Sequence, residues 1–435
     1  MIKGKVVVGI LPTYNLKNED NDPYQDKASF VRMYEQRIIE AGAIPIGLLN
    51  NNIENYFDIC DAYVWPGGNS IQNDFYKVFE DAIKNHKPFL GICLGMQAMA
   101  TYFNILEDNK KNKELSFYET YEANKESKPY LVRLEEEKIS NHSHYVTKDE
   151  EKIENAKHKV KIEKGTIMDD IYKTDTINVP SMHTYIVARV PKSLTISSRT
   201  EDGTIESVEY TKNGTCMLGV QYHPELIKDY KIFNWLVERS LDKYKILVNK
   251  EYKIPNNLYF KIVTYDSKCP SIDKRESLME ESVYYAFLEL KKAMQEKGYE
   301  IDLQSGYRYT IDQEELFNRI VEEKGIEHTN MFVAKPRHSE HETGLAIDVC
   351  ACIDGKWNFE SDEELNILFS YLHSIISDYG FILRYPKGKE DITGYGYEPW
   401  HLRYVGSKEF AKEIMDNNIT LEEASNSYTL RYSKK

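Results

Sequence analysis

The sequence predicts two domains in tandem: an α/β domain built on a parallel sheet flanked by helices, followed by an α+β domain. Three observations predict this. The chain has 435 residues, enough for two or three cores at about 150 residues per domain. Over the first half, short β-rich runs alternate with helical patterns, as parallel strands joined by crossover helices require. After about residue 250 that alternation gives way to a long amphipathic helix and then to strands and turns. Hydrophobic residues at 41% and charged residues at 29% place both domains among globular chains and exclude disorder.

Taken in order, Val6 to Leu11, Ile44 to Leu49, Ala62 to Trp65 and Phe89 to Ile92 read as buried strands, with helices from Phe30 to Ala41 and Phe75 to Asn85 between them. Residues 105–175 break the pattern with the charged runs Glu107 to Glu114 and Glu135 to Lys138, and read as exposed insertions and β-hairpins at the sheet edge. Strands return at Leu194 to Ser198, Ile205 to Tyr210 and Cys216 to Gln221. The helix Tyr230 to Leu241 sets Phe233, Leu236 and Val237 on one side and closes the domain. The expected limits are 1–242 for the first domain, 243–249 for a join and 250–435 for the second. In the second, Ser282 to Lys297 is the amphipathic helix, Ile301 to Gln304 a strand and Asp312 to Glu323 a helix. Strands and turns dominate after Arg337, with one helix near Glu363 to Tyr379.

Charge and composition narrow the function. Lys plus Arg number 56 against 70 Asp plus Glu, a net charge of −14 with no local basic patch, so nucleic acid is not an expected partner. The apolar run Val6 to Leu11 is far short of the roughly 20 residues of a membrane span, and too short for a secretory segment. Six scattered cysteines without a CxxC pair indicate neither a disulfide scaffold nor a cysteine zinc ribbon. A cytoplasmic location is therefore expected.

Two constellations carry chemistry. In the first, the strand Pro88 to Ile92 runs into Cys93, and Leu94 to Ala100 opens a helix. Gly91-x-Cys93-x-Gly95 is the elbow that a nucleophile on a strand-to-helix turn needs, because small neighbours let the backbone bend sharply. A helix N-terminus there stabilises thiolate and oxyanion alike. Cysteine beside glycines also serves plain packing, but two further segments point to catalysis. Trp65-Pro66-Gly67-Gly68-Asn69 offers backbone N–H groups after a strand, and His223-Pro224-Glu225 offers a base with a carboxylate two residues on.

In this order the segments resemble class I glutamine amidotransferases, above all the variety that hydrolyses γ-glutamyl bonds, over residues 1–242. The resemblance implies Cys93 as nucleophile, His223 as general base and acid, Glu225 as orienter of the imidazole, and the amides of Gly68 and Leu94 as the oxyanion hole. Asn178 to His183 resembles the loop that carries a pocket histidine in γ-glutamyl hydrolases, making His183 a substrate contact. Tyr102-Phe103-Asn104 stands where that family commonly has a glycine pair after the nucleophile helix.

The second constellation runs from His338 to Asp348, with His341 and Asp348 seven residues apart, and continues at Glu398-Pro399-Trp400-His401. Two imidazoles and a carboxylate with an open fourth position make a catalytic zinc set, and a further carboxylate can take a proton from zinc-bound water. Period two puts Glu398 and His401 on opposite strand faces, so the chain must bend at Pro399 for both to reach one ion. Ser305-Gly306-Tyr307-Arg308 with Gln313, Ser339 to Asp348, Gly380 to Pro386 and Glu398 to Gly406 resemble D-alanyl-D-alanine carboxypeptidases of the vancomycin-resistance type, over about residues 246–410. The resemblance implies zinc on His341, Asp348 and His401, with Glu398 as general base. Arg308 would stabilise an oxyanion or grip a terminal carboxylate, Ser305, Gln313 and Ser339 would contact substrate, and His338 is not a ligand.

A peptidoglycan stem peptide contains a γ-linked D-glutamate and ends in D-alanine, so the two resemblances together imply a bifunctional hydrolase of stem peptides or muropeptides. Two rival classes stay open on the sequence. One is an ammonia-supplying glutamine amidotransferase fused to a carboxypeptidase; the other is a non-catalytic muropeptide sensor.

Overall fold

A computed structural model describes residues 5–14, 28–49, 52–68, 73–110, 116–124, 129–134, 150–212, 214–227, 229–255, 260–270, 273–358 and 363–424. Asn69 and the charged run Glu135 to Lys138 lie outside the described residues. The chain divides into two compact units between Ser240 and Leu241.

The first unit holds a nine-stranded sheet. Five strands are parallel, in the order Ile44–Gly47, Val7–Ile10, Ala62–Trp65, Phe89–Ile92 and Met217–Val220. Each is an apolar run of the kind a sheet covered on both faces needs. Ile205–Tyr210, Thr195–Thr200, Lys157–Ile162 and Thr176–Pro180 then extend the sheet in antiparallel fashion. The last pair lies at the sheet edge and is joined through the helix Ile167–Tyr172, so the hairpins expected over 105–175 are replaced by the short helices Phe117–Asn124, Glu150–Asn155 and Ile167–Tyr172 and the strands Leu131–Arg133 and Lys157–Ile162. Trp65, Phe75, Phe79, Phe89 and Tyr102 form an aromatic core beneath the sheet. The helix Leu94–Asn109 is buried over nearly its whole length, which keeps its N-terminus rigid at the end of Phe89–Ile92.

The second unit carries a sheet ordered Glu300–Ser305, Ala346–Ile353, His401–Tyr404 and Phe381–Leu383, with Lys356–Asn358 paired to Ala346–Ile353. All pairs are antiparallel, which suits an α+β domain. The helix Glu281–Glu296 packs Val283, Phe287, Leu290 and Met294 into its core; Glu280 caps it, accepting from the amides of Ser282 and Val283. The expected join at 243–249 is part of this unit's interior. Tyr244 and Val248 are fully buried, and Arg403 donates to the carbonyls of Tyr244 and Ile246. A mixed charge run reads as a solvated join, but here Tyr244 fills the core while Asp242 and Lys245, themselves buried, lie 3.5 Å apart.

Candidate active sites

Cys93 sits between the strand Phe89–Ile92 and the helix Leu94–Asn109 at φ 52° and ψ −100°, a strained backbone found where function requires it. The flanking glycines are required by space. A Cβ on Gly91 would stand 2.6 Å from the carbonyl carbon of Gly95, and one on Gly95 only 2.1 Å from the carbonyl oxygen of Trp65. A Cβ on Gly67 would stand 2.7 Å from Cε1 of His223 and 3.4 Å from Cβ of Cys93, so loop, imidazole and thiol meet at one point. Gly68 lies against Leu94, a Cβ there standing 3.2 Å from the leucine Cδ2. Leu94 is the first helical residue, where the amide has no partner within the helix.

Nδ1 of His223 lies 2.7 Å from Oε1 of Glu225. Its Nε2 has no hydrogen-bond partner among the described residues, which leaves that nitrogen for proton transfer. Burial opposes a charge on His223, but Glu225 and then Cys93 outweigh it and raise the imidazole well above its usual range. Sequence reasoning missed Tyr34. Its hydroxyl donates to Oε1 of Glu225 at 2.8 Å and accepts the amide of Gly67 at 3.2 Å, tying the carboxylate to the loop. Tyr34 lies on the helix Arg32–Glu40 among its buried residues, and nothing in the sequence sets it apart from packing residues.

His183 is brought to a different environment from the one expected. It is 3% exposed, with Nδ1 at 3.1 Å from the Tyr185 carbonyl and Nε2 at 3.6 Å from Oε1 of Glu206. His158 reaches the same oxygen at 3.4 Å. Burial would raise the Glu206 carboxyl, yet the two histidines hold it at about 2. The nitrogens of His183 are taken up inside the unit, so the expected substrate contact is corrected to a buried polar cluster.

In the second unit, Ser305, Asp348 and His401 stand opposite one another on three adjacent strands. His341 comes from the short helix Glu340–Thr343, after which Gly344 at φ 73° turns the chain into the strand Ala346–Ile353. One ligand atom from each of His341, Asp348 and His401 lies within 4.8 Å of the others. Nε2 of His341 is 3.4 Å from Oδ2 of Asp348, and Nδ1 of His401 is 2.9 Å from Oδ1. A tetrahedral zinc ion with bonds of about 2.0–2.1 Å sets its donors about 3.3 Å apart, so the donor set and its spacing fit that ion. The other nitrogen of His341 lies 2.8 Å from the Gly306 carbonyl; Gly306 has no room for a side chain, as a Cβ would stand 2.0 Å from the Leu278 carbonyl oxygen.

Glu398 precedes the strand His401–Tyr404, and the amide of His401 donates to its carbonyl at 3.2 Å. This is the bend expected at Pro399, and it brings Oε2 of Glu398 to 3.7 Å from Nδ1 of His401. Burial, then Asp348, pushes the Glu398 carboxyl up to about 7 against the pull of His401 and Arg384. His338 is elsewhere, its Nδ1 at 2.7 Å from the Asn249 carbonyl.

Arg308 is heavily committed. Nε and Nη2 fork onto Glu276 at 2.8 and 3.0 Å, Nη2 also reaches Ser305 at 3.0 Å, and Nη1 donates to Gln313 at 2.8 Å. Of five donor hydrogens, four are thereby used. Glu276, which no sequence signal marked, also accepts the Ser305 hydroxyl. Arg308, Gln313, Ser339, Glu398 and the three ligand residues line a cavity of about 390 Å³. Ser305 is not among its lining residues and braces Arg308 from behind, correcting the expected substrate contact.

A family described as D-alanyl-D-alanine carboxypeptidase, VanY, matches residues 276–407, and one described as Peptidase C26 matches residues 76–225. The putative carboxypeptidase YodJ of Bacillus subtilis (strain 168) is 35% identical over 244 residues, 53% of this chain and 84% of that protein. The bifunctional D-Ala-D-Ala dipeptidase and D-Ala-D-Ala carboxypeptidase VanXYC of Enterococcus gallinarum is 41% identical over 130 residues, 28% of this chain and 65% of that protein. The putative glutamine amidotransferase-like protein RP404 of Rickettsia prowazekii (strain Madrid E) is 29% identical over 286 residues, 55% of this chain and 99% of that protein. Among the described residues no helix is long and apolar enough to cross a membrane. With Cys93, His223 and Glu225 inside one matched segment and His341, Asp348, Glu398 and His401 inside the other, the chain belongs to the VanY-type D-alanyl-D-alanine carboxypeptidases and carries ahead of the peptidase a Peptidase C26 domain of glutamine amidotransferase-like type.

Proposed function

We propose that the chain hydrolyses peptidoglycan stem peptides at two bonds, removing the terminal D-alanine at the His341–Asp348–His401 site and cleaving a γ-glutamyl bond at Cys93. The observation that carries this reading is the convergence of His341, Asp348 and His401 beside the buried carboxyl of Glu398, whose Oε2 lies 3.7 Å from Nδ1 of His401. Those three residues would hold zinc, which would supply Lewis acidity to the attacking water and the scissile carbonyl. Glu398 takes a proton from the attacking water and later gives one to the departing D-alanine amine. The remaining Nη1 hydrogen of Arg308 orients the peptide's terminal carboxylate.

At the other site, the thiolate of Cys93 attacks the γ-glutamyl carbonyl carbon and the C–N bond breaks. His223 gives its proton to the leaving amine. It then takes one from the water that hydrolyses the thioester and returns the thiol. The amides of Gly68 and Leu94 receive the oxyanion, while Glu225, braced by Tyr34, keeps the imidazole oriented.

Incubation of the full chain with a stem peptide containing γ-linked D-glutamate tests both halves. The expected result is release of free D-alanine together with cleavage of the γ-glutamyl bond, the second lost when Cys93 is replaced by Ala. Intact peptide with the zinc-loaded protein would refute the carboxypeptidase reading. The likeness to RP404 favours a second reading of Cys93 alone, in which free glutamine is the acyl donor. Rapid glutaminase turnover without cleavage of any γ-glutamyl peptide would establish it.

A further inference from the structure

Behind His401 lies a second layer of charge. Glu340 is 2% exposed, and Arg384 and Arg403 are fully buried. Arg384 Nε and Arg403 Nη1 both donate to Oε1 of Glu340, at 2.8 and 3.0 Å. Each guanidinium is anchored elsewhere as well. Arg384 forks onto Glu422 at 2.9 and 2.7 Å, and Nη2 of Arg403 donates to the carbonyls of Tyr244 and Ile246 at 2.8 and 3.0 Å. The Glu340 carboxylate is thus fixed through one oxygen. Its other oxygen, Oε2, lies 3.9 Å from Nε2 of His401. Both of these atoms are buried and neither has a hydrogen-bond partner among the described residues. The opposite nitrogen, Nδ1, faces Asp348 at 2.9 Å.

Two facing orphans of opposite character are informative. A carboxylate needed only to neutralise two guanidinium groups would meet them with both oxygens, because a buried charged oxygen left unpaired is costly. An imidazole that ligates through one nitrogen keeps its proton on the other, and the acceptor of that proton fixes both tautomer and ring orientation.

We propose that Glu340 is a positioning residue for the metal site. Its Oε2, 3.9 Å from Nε2 of His401 here, closes to hydrogen-bond distance and accepts the Nε2–H when Nδ1 gives its lone pair to a divalent cation, and Arg384 and Arg403 keep the carboxylate aimed. This rests on the reading of His341, Asp348 and His401 as the zinc ligands.

The test is Glu340→Gln in the full chain. The amide keeps an oxygen for the two guanidinium groups but turns an N–H towards Nε2, where an acceptor stood, and so favours the wrong tautomer. Zinc affinity, read by competition with a chromophoric chelator, should fall by about 10–100-fold. An affinity within twofold of the parent would overturn the proposal. A variant that fails to fold does not remove the test, because ¹⁵N-histidine spectra of the zinc-loaded parent report directly which nitrogen of His401 keeps its proton. A proton on Nε2 is expected, and a proton on Nδ1 overturns the proposal. Full zinc retention by His401→Ala would instead refute the ligand assignment itself, a failure that zinc affinity in Glu340→Gln cannot mimic.

Discussion

The two candidate sites are held in place by different physics. Around Cys93 the backbone does the positioning: a positive φ at the cysteine and glycines whose missing side chains leave no spare volume. Around the second site the positioning comes from Asp348 and His401 in register on adjacent strands, with His341 brought in from the short helix Glu340–Thr343, backed by buried charges. The first site should therefore fail when volume is added, and the second when a charge or a donor atom is removed.

The largest effect that bears on this comparison is ligand removal. His401→Ala should abolish stoichiometric zinc by elemental analysis and slow D-alanine release by about 10⁴-fold, leaving Cys93 chemistry intact. Retention of a full equivalent of zinc would break the contrast at once. Next in size, Glu398→Gln should keep its zinc and lose about 10³-fold in D-alanine release; unchanged release by the zinc-replete variant would remove Glu398 from the chemistry. On the other side of the comparison, Gly95→Ala should cost the first unit about 3 kcal/mol in urea unfolding, since its Cβ would stand 2.1 Å from backbone. Stability equal to the parent would show that the elbow has slack. The smallest effect concerns Tyr34→Phe, which removes one hydrogen bond to Glu225. Acylation of Cys93 by a γ-glutamyl substrate should slow about fivefold, worth ~1 kcal/mol, with zinc content unchanged. A rate equal to the parent would leave Tyr34 as packing.

The same contrast explains what the sequence made legible. The elbow was readable because its requirements are local: small residues two apart around a cysteine, and a histidine with a carboxylate two residues on. The zinc ligands were readable as residue types, although Glu398 and His401 reached one site only because the chain bends at Pro399. The supporting layer was not readable. Glu340, Arg384 and Arg403 fall inside the stretches that carry the carboxypeptidase resemblance but were given no role there, Glu276 lies outside them, and only the packing shows the four charges paired inside. Tyr34 and Tyr244 failed in the same way, as their roles depend on distant partners and not on neighbours in the chain. The helices Ile326–Phe332 and Lys408–Asp416 were also missed; both are short, the first following closely on the expected helix Asp312 to Glu323 and the second lying in the stretch after Arg337 that reads as strands and turns.

The most direct test of two independent hydrolytic sites is mass spectrometry of one stem pentapeptide carrying γ-linked D-glutamate and a terminal D-alanine. It is incubated with the full chain, with the chain plus a zinc chelator, and with Cys93→Ala. The account predicts both cleavages with the parent protein, loss of D-alanine release alone with chelator, and loss of γ-glutamyl cleavage alone with Cys93→Ala. Disappearance of both cleavages under either treatment would contradict it.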